Sequence, residues 1–193
     1  MRIQGYDMYP LTPERFGDFE TVLGRGGIGG CWCMYWLTDR MEAFNRGTIG
    51  GSKGANKAAF REVIAAGPPG LLAYDGDEPV GWVRVMPRAR HPGLARSRLY
   101  GVTEDIGGIW SVSCFVIRRA WRGRSLSAVL LRAAIAHARA GGARAVEAYP
   151  NDAEGRLSGM ALYRGRASTF RRFGFEEVWR TGKDKPLMRL TLG

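Results

Sequence analysis

One short stretch of this chain gathers the residue types that hold anions. Arg118, Arg119, Arg122 and Arg124 crowd around Gly123, between an apolar run from Ile109 to Ile117 and an alanine- and leucine-rich segment that starts at Ser125. If the run is a strand and the segment a helix, the turn sits at a helix N-terminus. Unpaired N–H groups there carry partial positive charge, and glycine lets the backbone come close to a ligand. That combination suits phosphate or pyrophosphate. It equally suits a helix capped by Ser125 with solvated arginines beside it, and the stretch alone does not choose. The other pattern is Cys31-x-Cys33, which with Cys114 makes three cysteines. An odd number is no disulfide framework, and neither His91 nor His137 is spaced to complete a zinc set, so reduced thiols and no metal are expected.

The elements that must position these residues are clearest after Gly70. Leu71–Tyr74 and Val80–Met86, joined by an Asp-Gly turn with Pro79, read as a hairpin. Pro87–Gly108 reads as a loop with a short extra element, followed by the strand Ile109–Ile117. A helix from about Ser125 to Ala140 places Leu126, Val129, Leu130, Ala133 and His137 on one buried stripe and stops at Gly141-Gly142. Strands then follow at Ala143–Tyr149, Phe175–Arg180 and Pro186–Leu192, with a short helix at Ser168–Phe173. In the N-terminal third, Tyr6–Leu11 reads as a strand, and Thr12-Pro13-Glu14 starts a helix that runs to Leu23. Asn56–Ala66 reads as a second helix after a glycine-rich loop at Gly47–Gly54. Strands alternating with helices and ending in a strand pair mean an α/β or α+β sandwich around one sheet.

A chain of 193 residues with 45% hydrophobic and 24% charged residues suits one globular domain. No apolar window reaches membrane-span length and the N-terminus has no apolar signal core, so a cytoplasmic protein with no membrane partner is expected. The net charge of +11 rests on 29 basic residues, of which only Lys53, Lys57, Lys183 and Lys185 are lysines. The charge is spread along the chain, so polyanionic ligands fit, while nucleic acid is only weakly supported.

The order of elements, the turn R122-G-R-S-L-S127 and the late Gly174-Phe175 pair together resemble the GCN5-related N-acetyltransferase (GNAT) superfamily. The resemblance runs from about Gly70 to Leu192, with the N-terminal helices also in order. The family loop is written R/Q-x-x-G-x-G/A, and here Ser125 and Ser127 stand at its two small positions. The resemblance implies a three-layer sandwich: a central mixed, mostly antiparallel sheet of about seven strands with helices on both faces. It implies a single domain over 1–193, whose part up to about residue 69 forms the acceptor side. Acetyl-CoA would be the co-substrate, its pyrophosphate held by Arg122, Gly123, Arg124, Ser125, Leu126, Ser127 and Ala128. Its pantetheine arm would pair with Phe115, Val116 and Ile117, where a main-chain N–H would polarise the thioester carbonyl.

The acceptor amine must lose a proton before it attacks, since an ordinary amine with a pKa near ~10.4 is protonated at neutral pH. A usual place for the family's base is occupied here by Ser111, which cannot serve. Glu147 is the better candidate: alternation puts it on one face with Ala145 and with Tyr149, its neighbour in the site. The family's tyrosine acid falls on Phe170, leaving Tyr149, Tyr163 or solvent to protonate the leaving thiolate. Trp32, Met34, Tyr35, Trp36 and Phe44 would bound an acceptor pocket or support the core. A small-molecule amine is the first acceptor class, reached by direct attack in a ternary complex. Protein amines, aminoacyl-tRNA and a non-catalytic acyl-CoA sensor are the alternatives, and a homodimer is compatible with the sequence.

Overall fold

The structure, a computed structural model, describes residues 1–24, 26–38, 54–96, 106–155 and 158–193. The glycine-rich loop at 47–53, Phe44 and part of the 87–108 connection lie outside these residues. Eight strands form one sheet: β1 (Arg2–Ile3), β2 (Tyr6–Pro10), β3 (Gly70–Asp75), β4 (Glu78–Pro87), β5 (Ile109–Ile117), β6 (Ala145–Ala148), β7 (Glu176–Thr181) and β8 (Lys185–Thr191). Their spatial order is β1-β2-β3-β4-β5-β6-β8-β7, and every neighbouring pair is antiparallel except β5 with β6. The expected mixed, mostly antiparallel sheet is therefore present. The eighth strand is the two-residue β1, too short to leave an alternation in the sequence.

The two long central strands β4 and β5 are rich in β-branched and aromatic residues, and helices cover both faces of the sheet. On one face α4 (Leu126–Ala140) lays Leu126, Val129, Leu130, Ala133 and Ala134 over Val83, Val85, Val112 and Phe115. This is the apolar stripe of a core-facing helix. His137 is only half-buried and meets Trp110 edge-on at the stripe's end. Gly142 holds φ +77°, the left-handed residue that ends the helix. On the opposite face α1 (Phe16–Leu23) and α2 (Ala55–Ala65) bury Phe19 and Phe60 against Trp82. The start expected at Thr12 is a single 3-10 turn over Pro13–Arg15, and the Thr12 side chain makes no cap bond.

The 87–108 connection holds a 3-10 turn at Arg88–Arg90 and the short α3 (Pro92–Arg96). Gly93 lies so close to the carbonyl of Trp36 that a β-carbon would meet it at 2.8 Å. The late helices are α5 (Gly159–Leu162), which had no periodic signal, and α6 (Ala167–Arg171). Among the described residues no helix is long and apolar enough to cross a membrane.

One exposed clamp fixes the last helix to the last hairpin. Asp152 accepts two hydrogen bonds from Arg171 at 2.8 and 2.9 Å and one from Arg180 at 2.7 Å. The bonds from Arg171, then those from Arg180, hold the Asp152 carboxyl down to about 2, against its usual 3.8. A depressed carboxylate stabilises the fold above its unfolded pKa and loses that contribution as pH falls through the folded one. Asp152→Asn should thus cost about 1 kcal/mol at neutral pH once solvent screening is allowed for. Urea titrations should show the gap between parent and variant closing between pH 3.8 and about 2; a gap that persists at the lower end would mean that the charge is not what matters.

Candidate active site

The site begins where the sheet comes apart. β5 pairs with β6 only from Ile109↔Ala145 to Val112↔Ala148, so the remainder of β5 has one edge without a strand. At the same point the β4–β5 register shifts: Arg84 pairs with Cys114 and Val85 with Val112, leaving Ser113 as the extra residue of a bulge. A bulge bends its strand and sharpens the twist, which drives β5 away from β6. Arg118 N–H bonds the Val80 carbonyl at 3.0 Å. By the alternation of an antiparallel ladder, the main-chain groups of Cys114 and Val116 therefore face β4, and those of Phe115 and Ile117 face the open side. The Phe115 N–H donates to the carbonyl of Tyr163 at 2.6 Å, and the Ile117 carbonyl accepts from Arg122 Nε at 3.1 Å.

Past β5 the chain turns through Arg119–Trp121 into α4. Gly123 holds φ +80° and Ser125 holds φ +57°, so the first small position of the loop adopts a left-handed conformation that glycine takes freely and serine takes at a cost of about 1 kcal/mol. Ser125 makes no side-chain cap bond. Among the described residues none of the five consecutive N–H groups from Gly123 to Ser127 has an acceptor; the first bond of the helix is Ala128 N–H to Ser125 O. Arg122 precedes this array and Arg124 lies within it, its guanidinium beside the Trp121 ring, whereas Arg118 is paired with Glu78 at 2.6 Å. Five free donors at a helix N-terminus have the arrangement of an anion nest, and no side-chain cap at Ser125 takes any of them.

A cleft of about 1400 Å³ leads from this nest into the opening of the sheet. Ile117, Arg119, Arg122 and Ser127 line its outer end; Phe115, Val116, Tyr163 and Phe170 its middle; Cys31, Cys33, Tyr35 and Cys114 its inner end. No Asp, Glu or His is among the lining residues described. Trp32, Met34 and Trp36 are instead buried core, because Cys31–Leu37 is a run of tight turns rather than a strand.

Glu147 and Tyr149 lie away from that lining, in a buried polar knot. Register places Ser111, Glu147 and Arg189 side by side on β5, β6 and β8. One Glu147 oxygen accepts from Arg189 at 2.6 and 3.1 Å, and the other accepts from Arg88. Tyr149 donates to Glu147 at 3.2 Å and shares a 2.9 Å bond with Ser111. Burial, and then the charge of Glu147, push the Tyr149 phenol well above its ordinary value. Both carboxylate oxygens are thus held by guanidinium groups in a fully buried site.

A second buried group sits under the inner end of the cleft. Arg84 donates from Nε to the Ser113 hydroxyl at 2.7 Å and from Nη1 to the Cys33 carbonyl. His91 lies 3.1 Å from Ser113 Oγ and 3.3 Å from the Pro87 carbonyl. Burial, then the nearby Arg84 charge, hold the His91 imidazole well below its ordinary value. A neutral ring that donates from Nδ1 to Pro87 and accepts at Nε2 from Ser113 satisfies every bond in this chain. The unpaired residue of the bulge is thereby tied down. An arginine inside the apolar run Val80–Met86 is the sequence signal that could have marked this group; Arg88 and Arg189 carry no such local signal.

A model of the acetyltransferase (GNAT) family matches residues 34–166. No curated protein sequence matches the chain. Among solved structures, the PaiA N-acetyltransferase of Thermoplasma acidophilum, in complex with coenzyme A, superposes with a TM-score of 0.56 at 12% identity over 97% of this chain and 99% of its own. A Salmonella typhimurium protein with its cofactor acetyl-CoA gives 0.55 at 13% identity over 98% and 95%. The ribosomal-protein-alanine N-acetyltransferase of Brucella melitensis gives 0.55 at 14% over 96% and 99%. At these identities the likeness is one of fold.

Breaking a buried ion pair on one side leaves an uncompensated charge. Glu147→Gln should destabilise the chain by about 3 kcal/mol in urea unfolding. A change under about 0.5 kcal/mol would mean the two arginines are solvated and the knot is not closed.

Proposed function

Since the chain belongs to the acetyltransferase (GNAT) family, we propose that it is an N-acetyltransferase which moves the acetyl group of acetyl-CoA to the primary amine of a small molecule by direct attack in a ternary complex. The observation that carries this reading is the continuity of the cleft: Arg122 and Ser127, at the two ends of the unmatched N–H array, line one end, the open edge of β5 its length, and the N-terminal part of the chain its inner end. A nest of N–H groups with Arg122 before it and Arg124 within it fits a pyrophosphate. We assign it Gly123, Arg124, Ser125, Leu126, Ser127 and Ala128, with Arg122 closing the turn onto Ile117.

Acetyl-CoA supplies the acetyl thioester. The protein's part is to bind and orient it. The backbones of Phe115 and Ile117 face the open side and suit an extended arm, whereas Val116 offers only its side chain. The Phe115 N–H is the donor best suited to a carbonyl oxygen, and the Tyr163 carbonyl now takes it. A bound acyl carbonyl would replace that contact. Glu147 enters this reading as a positioning group rather than a base, since its oxygens are committed to Arg88 and Arg189. Tyr149 orients it. The acceptor-side role of the N-terminal part, up to about residue 69, rests on Cys31, Cys33 and Tyr35 lining the inner end.

With no carboxylate or imidazole among the described lining residues, the amine enters as its free base and passes its proton to water. A second reading, binding of an acyl-CoA without turnover, is favoured by the same lack of a base and by the occupied Phe115 N–H.

Calorimetric titration with acetyl-CoA tests the site. Micromolar affinity in the parent should weaken by a hundredfold or more, about 3 kcal/mol, in a Gly123→Val, Ser125→Glu double variant whose loop repels phosphate. Equal affinity in both would remove the nest from the reading. Where an amine turns over, the rate per total amine should rise about tenfold per pH unit below the amine's own pKa. A further ionisation between pH 5 and 8 that disappears in Glu147→Gln would restore Glu147 as the base; binding without turnover on any amine would select the second reading.

A further inference from the structure

All three cysteines of the chain line the cleft, and two of them meet. The sulfurs of Cys33 and Cys114 lie 3.6 Å apart although the residues are 81 positions apart in sequence. The pair rests on Arg84, a buried guanidinium that bonds Ser113 and the Cys33 carbonyl and has no carboxylate partner among the described residues. A buried cation without a counter-charge favours an anion beside it. The indole N–H of fully buried Trp82 also has no acceptor in hydrogen-bonding geometry, and it favours a thiolate at Cys33. The Cys114 S–H, then the Arg84 charge, bring the Cys33 thiol below its usual value, while the bond to Cys33 and burial raise Cys114 well above. Burial raises Cys31. Cys33 is thus favoured as the thiolate and Cys114 as the thiol that faces it.

We propose that Cys33 and Cys114 form a thiol–disulfide exchange site for a low-molecular-weight disulfide that enters through the cleft. The Cys33 thiolate attacks one sulfur of the disulfide; that S–S bond breaks and a thiolate leaves, taking a proton from water. Once Cys33 is in the mixed disulfide it no longer accepts from Cys114, so Cys114 can release its proton. The Cys114 sulfur then attacks the Cys33 sulfur and expels the second small thiolate. Two protein thiols are oxidised to one disulfide, and one small disulfide is reduced to two thiols. Closing the bond needs the sulfurs to approach by about 1.5 Å from their 3.6 Å separation. The product would staple the Cys31–Leu37 turns to β5 across the inner end of the cleft.

The proposal stands apart from acetyl transfer, and its test uses no acyl donor. The folded full-length chain is incubated with oxidised glutathione, or in a second arm with coenzyme A disulfide, then alkylated and mapped by mass spectrometry. The expected product has lost two hydrogens and joins the Cys33 and Cys114 peptides, with Cys31 still alkylated. Cys114→Ser should stop at the mixed disulfide on Cys33, and Cys33→Ser should leave Cys114 free. Faster reaction with coenzyme A disulfide names that molecule as the reactant; equal rates assign the site to small disulfides in general. In the unsubstituted chain, Cys33 should be alkylated at least tenfold faster than Cys31 or Cys114 near neutral pH. Consumption of Cys31 in place of Cys33, or no link under conditions in which the chain stays folded, overturns the proposal.

Discussion

The site depends on one break in a hydrogen-bond ladder. Edge groups of a β-strand are normally paired or shielded, because an unmatched N–H or C=O inside a protein costs as much as a lost hydrogen bond. Here β5 runs on beyond its last partner on β6, and the bulge at Ser113 aims that length away from β6 while it stays paired with β4. The cleft, the outward-facing backbone of Ile117 and the approach to the α4 N-terminus all follow from that divergence. What keeps it open is the polar material on both sides: Arg84 and His91 hold the bulge, while Arg88, Glu147 and Arg189 hold the strands that diverge from it.

Those two buried clusters differ in their electrostatics. Around Glu147 the carboxylate is matched by the buried Arg88, while the second guanidinium, Arg189, is partly open to solvent, and the Tyr149 hydroxyl adds a further donor. Around Arg84 the positive charge is left over. Matched buried charge fixes geometry and is chemically quiet. Unmatched buried charge polarises whatever lies next to it, and the neighbours here are sulfur atoms.

Much of the fold could be read from the sequence because periodicity is a local property. The β5 run, the α4 stripe and the hairpin around Gly76 carry their own patterns, and their bounds match to within about two residues. The basic turn was equally local, with arginines, glycine and helix start in one heptad-sized stretch. Contacts between distant segments left no such mark. Glu147 was visible as a carboxylate on a strand, but its partners come from the 87–90 turn and from β8, so the sequence could not show that both its oxygens were engaged. For Cys33 and Cys114 likewise the sequence suggested only reduced thiols, and the Cys31–Leu37 turns bring them together. Phe170 could be recognised as a departure from the family's tyrosine, and it packs between Phe115 and Phe175 as an apolar residue should.

Ser125 has a consequence for how the anion nest is made ready. A glycine in its place would relax the left-handed backbone, but it would also give the loop many other conformations to visit. Serine reaches few alternatives, so the loop's freedom is surrendered when the chain folds and less remains to be lost when a ligand arrives. The residue that departs from the family pattern can in this way exchange a little folded-state strain for a receptor that is already in shape.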